Sequence, residues 1–348
     1  MIGRVNMLFF DEEAPALVQD FLQYLKTNLD HSDATISEYY SDLKTFFRFM
    51  LRDRGAAPAD MPFNEIPIRD IGLEFIRHIS KVDINNYVVY LRSERVYNEG
   101  RPNQGQGLAP ASTNRKIACL KTFFNYLCNK VDLLEKNPTV GVASPLINHK
   151  LPSYLTQQEA FRLLDAVDGR NEARDYCILI LFLNCGLRVS EIVNINLDDI
   201  RTGSGSNFLT ITGKGNKQRQ IYLEDACLDA LEDYIAIRES RYRPKEGHEK
   251  ALFLSRLHLR MSVDAVQAMV KHTLLAAGLS PKKYSAHKLR HTAATLMLQN
   301  GVDVRTLQEI LGHENLNTTQ IYTHVDSDSL RVAAKANPLS KPRKRRRN

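Results

Sequence analysis

The chain has 348 residues and a formal charge of +7, long enough for two domains that each bury a core. It carries no apolar run of bilayer length, and Asp11, Glu12 and Glu13 stand where a secretory signal would continue apolar, so a membrane span is excluded and a cytoplasmic protein expected. Lys341, Arg343, Lys344, Arg345, Arg346 and Arg347 hold six of the seven charges, so any argument for a polyanionic partner has to rest on local placement of Arg and Lys rather than on a uniformly basic surface. Cys119, Cys128, Cys177, Cys185 and Cys227 show no C-x-x-C pairing and fall in apolar patterns, which fits reduced, buried thiols better than disulfides or metal ligands. From the N-terminus, Val18, Phe21, Leu22, Leu25 and Leu29 form one helical stripe over residues 14 to 29. Thr35 and Glu38 then form a candidate capping box for a helix of about four turns, whose stripe is Ile36, Tyr40, Leu43, Phe47 and Met50 and whose stop is Gly55. Weaker helical patterns follow at residues 68 to 80 and 83 to 95, and Asn98 to Pro110 has the composition of a surface loop. A helix capped by Ser112 runs to about Asn129, with Ile117, Leu120, Phe124 and Leu127 on its apolar side and Asn114, Arg115, Lys116 and Lys121 on the side open to solvent or phosphate.

Asn137-Pro138 breaks this pattern, and residues 141 to 152 have the composition of a linker. A second domain opens with a Thr156/Glu159 capping box, followed by helices at 157 to 167 and 172 to 186. Gly186 ends the strongly apolar second helix and delivers Arg188 just past it. Phe208 to Thr212 and Gln218 to Leu223 alternate as two strands of a hairpin, with Lys214 at or beside the turn. Helical patterns resume at 224 to 241 and 262 to 277, and Ser285 introduces a helix that places His287, Arg290 and His291 at i, i+3 and i+4. Gly301 closes it, and a short helix with Val304, Leu307, Ile310 and Leu311 on its buried side ends at Gly312, holding His313 at a helix exit. Tyr322 follows in Thr318-Thr319-Gln320-Ile321-Tyr322.

The residue types in this order suit one reaction. A phenol has a pKa near 10, so only about one Tyr in a thousand is phenolate at neutral pH, and a phosphodiester repels an anionic nucleophile. Two guanidiniums can fork onto non-bridging phosphate oxygens, an ammonium can protonate a departing alkoxide, and an imidazole can handle the phenolic proton. Arg188, Arg290, Lys214, His287 and His313, with Tyr322 as nucleophile, supply those groups. Two other readings compete. His287, His291 and His313 could be zinc ligands, although Lys288 and Arg290 repel a cation there, and residues 296 to 322 could be the helix-turn-helix of a non-catalytic DNA-binding regulator, which leaves Arg188 and Lys214 without a task.

Gly186-Leu187-Arg188-Val189-Ser190-Glu191, Thr212 to Arg219, His287-Lys288-Leu289-Arg290-His291, Leu311-Gly312-His313 and Thr318 to His324 match, in order and separation, the motifs of the tyrosine site-specific recombinases of the phage-integrase and Xer type, a family that the chain resembles over about half its length. The resemblance implies a mainly α fold: a helical, SAM-like core-binding domain at 14–140, a linker at 141–152, and a mostly helical catalytic domain with a small β-hairpin at 153–337, together closing as a C-shaped clamp on DNA, while the basic residues at 338–348, read from their composition as a disordered tail, depart from the simplest pattern of the family. It makes Arg188, Lys214, His287, Arg290, His313 and Tyr322 catalytic and Glu191 a supporting carboxylate for Arg188 or His287, and it turns Asn114, Arg115, Lys116 and Lys121 toward DNA. The implied reaction is cleavage and rejoining of duplex DNA through a 3′-phosphotyrosine, serving integration, excision or dimer resolution, with no metal and no cofactor. Its partners are double-stranded DNA with inverted half-sites, further copies of the chain as dimer and tetramer on that DNA, and accessory proteins where the system uses them. A C-terminal helix over Asp326 to Asn337 would dock on a neighbouring subunit or fold back on its own domain. A type IB topoisomerase, which forms the same covalent link, is the nearest enzymatic alternative.

Overall fold

A computed structural model describes residues 13–97, 100, 104–146, 153–203, 207–213, 217–312 and 337–338. The chain divides into two compact units, residues 1–150 and 151–348.

The first unit holds α1 (Ala16–Thr27), α2 (Asp33–Asp53), α3 (Leu73–Arg77), α4 (Lys81–Ser93), β1 (Val96–Tyr97), β2 (Gly105–Gln106) and α5 (Pro110–Asn129). Its core is aromatic. Phe21 of α1 meets Phe123 of α5 edge-on at 5.2 Å between centroids, and Phe46 of α2 meets Tyr87 of α4 at 5.1 Å, geometries that favour ring quadrupoles as well as burial. The apolar stripes of α1 and α2 are buried as expected, except that Leu29 lies past the end of α1 and is exposed. Three expectations need correction. Ser32, not Thr35, caps α2, accepting from the Thr35 N–H, because either hydroxyl could start the helix and the one three residues upstream leaves an extra turn to bury Ile36. With 21 residues, α2 is nearly six turns long, since no breaker interrupts it before Asp53. The helix ahead of Asn129 begins at Pro110 in the first turn, where a missing N–H costs nothing, rather than at Ser112. The expected loop contains part of an antiparallel ribbon, Val96 opposite Gln106 and Tyr97 opposite Gly105. Val142, placed in the linker by composition, is buried with this core.

The second unit holds α6 (Gln157–Asp165), α7 (Glu172–Cys185), α8 (Val189–Asn194), β3 (Ile200–Arg201), β4 (Phe208–Thr212), β5 (Gln218–Tyr222), α9 (Asp225–Arg241), α10 (Val263–Ala276), α11 (Ala286–Gln299) and α12 (Val304–Leu311). The Thr156/Glu159 capping box is present. Residues Cys177 to Cys185 of α7 are buried on every side, which makes this helix the axis on which α9 and α11 pack. The sheet is antiparallel in the order β3-β4-β5, and β4 and β5 pair from Phe208 opposite Tyr222 to Thr212 opposite Gln218. α12 rests on α11 and β5 through Leu307, Ile310 and Leu311, whereas Val304, expected on its buried side, is exposed at the first position after the Asp303 cap.

None of the five cysteines is in a disulfide, and Cys185 and Cys227 are in van der Waals contact in the core, Sγ to Sγ 4.0 Å. Of the expected C-terminal helix only Asn337 is described; it is buried and donates to the Leu183 carbonyl of its own unit at 2.7 Å. The rest of that segment and residues 339–348 lie outside the described residues. Among the described residues no helix is long and apolar enough to cross a membrane.

Candidate active site

The site starts at the end of α7. Gly186 takes the left-handed conformation, φ +60°, and stops the helix; a Cβ there would stand 2.7 Å from Leu311 Cδ2. Leu187 is buried, and the chain turns into α8 with Arg188 as its N-cap residue and Glu191 at the third helical position. The Glu191 carboxylate reaches back to accept from the Arg188 N–H (Oε2, 2.8 Å) and from Arg188 Nη1 (Oε1, 2.8 Å). Arg219, from β5, approaches the same carboxylate fork to fork, with Nη1 to Oε1 and Nη2 to Oε2 both 3.0 Å. Arg290, from α11, brings Nη1 to 3.6 Å from Oε2, an ion pair without a hydrogen bond. One buried carboxylate is thus shared by three guanidiniums.

The other side of this layer is the C-terminus of α12, whose last carbonyls lack helical partners and carry the negative end of the helix dipole. Each of the three accepts from a different arginine. Ile310 O takes Arg219 Nε at 2.8 Å, Leu311 O takes Arg290 Nη2 at 2.7 Å, and Gly312 O takes Arg188 Nη2 at 3.1 Å. Arg290 also donates to Gly186 O at 2.7 Å, which ties α11 to the turn after α7. Gly312, φ +63°, lies so close to Arg219 that a Cβ would fall 3.2 Å from Nη1. Three cations and one anion leave this cluster at +2. Burial alone would raise the Glu191 carboxyl, yet the hydrogen bonds from Arg219 and from the Arg188 backbone hold it below its ordinary value, so it is ionised at neutral pH. Burial, reinforced by the Arg188 charge, brings Arg290 down to about 10, still cationic at pH 7.

Arg188 and Arg290 face a cleft of about 490 Å³, whose walls include Ser190, Lys271, Tyr284 and His287. His287 is exposed there, one turn before the buried Arg290. The face these residues share with His291 is divided, because the half-buried His291 ring stands edge-on to Tyr154 at 6.2 Å. Glu191 therefore braces Arg188, Arg219 and Arg290; among the described contacts it has none with His287, the alternative partner expected from sequence. Lys214, His313 and Tyr322 lie outside the described residues. Their flanks are described: Gly213 donates to Lys217 O at 2.7 Å across the hairpin end, and Gly312 immediately precedes His313. Sequence reasoning missed Arg219 as a site residue. The signal was present in the strand period, since Arg219 and the buried Ile221 share one face of β5, and a cation on a core-facing strand position requires a partner.

In the first unit the four expected DNA-facing residues do not behave alike. Arg115 forks onto Asp42 of α2 at 2.9 and 2.7 Å, and Lys116 joins the same buried carboxylate at 2.7 Å. Asn114 donates to Pro145 O at 2.9 Å, and Lys121 reaches Val142 O at 3.4 Å. Arg115 remains 48% exposed and Lys116 only 12%, so Arg115 keeps donors toward solvent while Lys116 is spent on the fold.

Residues 153–328 match the phage integrase family. Over 343 residues the chain is 48% identical to the tyrosine recombinase XerC of Caldanaerobacter subterraneus subsp. tengcongensis, covering 97% of this chain and 92% of that protein. The chain belongs to the phage integrase family. As a tyrosine recombinase it is an enzyme, and its reaction is site-specific DNA recombination by the tyrosine mechanism. The fold is shared with the XerH site-specific recombinase bound to difH substrate in a pre-cleavage complex, with a TM-score of 0.59 at 24% identity over 91% of this chain and 84% of the other. It is shared as well with a lambda integrase tetramer bound to a Holliday junction, at 0.58 and 17% identity over 89% and 80%.

Proposed function

We propose that Arg188 and Arg290 form the phosphate clamp of this recombinase and that Tyr322 is its nucleophile. The observation that carries the reading is the convergence of two arginines 102 positions apart on one buried carboxylate, at the wall of an open cleft that His287 also lines. Arg188, 40% exposed on its side chain, has outward N–H groups to offer a non-bridging oxygen, and Arg290 adds a fixed charge from below. Both stabilise the extra negative charge of the in-line transition state. As the Tyr322 Oη–P bond forms and the P–O5′ bond breaks, His287 receives or orients the phenolic proton, Lys214 gives a proton to the departing 5′-oxygen, and His313 donates a hydrogen bond to the phosphate. Attack by a 5′-hydroxyl reverses the step, and a 5′-hydroxyl from another duplex recombines the two strands. Because the covalent link conserves the phosphodiester, no nucleotide cofactor enters, and the charge work assigned elsewhere to metals falls to side chains.

The DNA is proposed to carry inverted half-sites, each binding one copy of the chain, with four copies in the synapse and Arg115 among the contacts of the first unit. The parent protein should be trapped on a nicked suicide duplex carrying repeats from beside its own gene, as a species that survives denaturation. Tyr322→Phe should lose that species while binding the duplex within a few-fold. Arg188→Ala and Arg290→Ala should each slow trapping by at least about 100-fold, as removal of a transition-state donor does, and chelator should leave the rate unchanged. A covalent adduct in Tyr322→Phe would overturn the nucleophile, and cleavage abolished by chelator would overturn the cationic clamp.

A further inference from the structure

Arg219 is the one arginine of the cluster that no step of the proposed reaction uses, yet its guanidinium makes three hydrogen bonds there, against two each from those of Arg188 and Arg290. Its two Nη atoms chelate Glu191 at 3.0 Å each and its Nε holds Ile310 O at 2.8 Å, while its side chain is only 15% exposed. The guanidiniums of Arg188 and Arg290 each make one contact to Glu191 and one to the end of α12, so all three side chains bridge Glu191 of α8 and the end of α12. Arg219 differs in where it starts. It stands on β5, three residues beyond the hairpin segment that carries Lys214, whose strands pair up to Thr212 opposite Gln218. One guanidinium therefore links the hairpin, the carboxylate that holds the clamp, and the helix that leads directly into His313.

We infer that Arg219 is a positioning residue of DNA cleavage, which locks Glu191 and the end of α12 to β5 so that the forks of Arg188 and Arg290 are held in register with the hairpin. The inference rests on the reading of Arg188 and Arg290 as the phosphate clamp. Its physical basis is competition for donors. Without Arg219, Glu191 Oε2 keeps, among the described residues, only the Arg188 N–H and the distant Arg290, so both arginines are drawn toward the carboxylate, and Ile310 O loses the Arg219 donor. A clamp displaced by an ångström loses about 100-fold in rate. The charged groups facing Glu191 from the elements packed around it are Arg188, Arg219 and Arg290, and α12 presents only carbonyls, so among the described residues removal of Arg219 takes away a third of the cations that keep Glu191 ionised.

The test compares Arg219→Gln, Arg219→Lys and Arg188→Ala with the parent on the nicked suicide duplex, measuring binding, the single-turnover rate of adduct formation from pH 5 to 9, and thermal melting. Arg219→Gln should bind within a few-fold, cleave about 100-fold more slowly, and show its acid limb displaced to higher pH, because Glu191 protonates sooner. Arg219→Lys, which restores the charge but not the fork, should bring back part of the rate and leave the limb partly displaced. A loss of rate arising only from a loosened fold would scale with melting temperature and leave the pH profile in place, and that outcome overturns the inference. So does an Arg219→Lys protein with the parent's rate and profile, which remains informative if Arg219→Gln does not fold. If Arg188→Ala itself cleaves normally, the clamp reading has failed; if Arg188→Ala is inactive and Arg219→Gln is parental, only the role of Arg219 has.

Discussion

At the scale of the residue, Glu191 sets the electrostatics of the cluster. Three guanidiniums gathered around one carboxylate repel one another, and that carboxylate, 4% exposed on its side chain, offsets part of the repulsion while accepting hydrogen bonds from Arg188 and Arg219. Replacing it by the near-isosteric amide removes the charge and turns one acceptor into a donor facing cations. Glu191→Gln should therefore cost about 3 kcal/mol or more in urea unfolding and reduce cleavage with it. The pH dependence has a definite sign. The folded carboxyl titrates below its ordinary 4.5, so its contribution is fully present above that value and is lost as pH falls through the lowered one. The stability gap between parent and Glu191→Gln should be flat near neutrality and shrink in acid. A gap that instead widens below pH 4.5 would show that Glu191 is held protonated and would contradict the arrangement of donors around it.

At the scale of the element, the site is made from ends: the stop of α7, the start of α8 and the stop of α12 meet where Gly186 and Leu311 touch. Gly186→Ala places a methyl 2.7 Å from Leu311 Cδ2 and forces alanine into the left-handed region, a strain of about 1–2 kcal/mol before any clash. It should lower thermal stability and, by moving the residue whose carbonyl holds Arg290, slow cleavage by more than the folded fraction accounts for; equal losses in both would show that α12 does not transmit the displacement. These ends were legible in sequence because Gly186, Gly301, Gly312 and the Thr156/Glu159 pair are local signals that carry their own backbone chemistry. The start of α2 was misplaced because Ser32 and Thr35 are equivalent as local caps and only burial of the following stripe separates them. β1, β2 and β3, of two residues each, carry no period to detect. Arg219 escaped for a different reason: its motif holds two other cations, Lys214 and Lys217, among polar residues, and what singles it out is a carboxylate 28 positions away and a carbonyl 91 positions away, neither of which the sequence pairs with it.

At the scale of the whole molecule, the charge is divided between a nearly neutral body and a short basic run. Of the formal +7, the six cations from Lys341 to Arg347 account for all but one, although the body carries the +2 arginine cluster and the solvent-facing Arg115. Local positive sites on a neutral body give geometry-dependent binding, whereas a dense run of cations gives attraction to any duplex by releasing condensed counterions. The two parts are then separable by salt. Deleting residues 341–348 removes those six cations and none of Arg188, Lys214, His287, Arg290, His313 or Tyr322. The slope of log K against log salt on random duplex should become shallower by at most about five, at roughly 0.9 per phosphate contact, while the single-turnover rate on a saturating suicide duplex stays within threefold of the parent. A truncated protein with unchanged salt slope and no cleavage would reverse the assignment, placing the basic run in the assembly that performs the reaction rather than in the attraction that brings DNA to it.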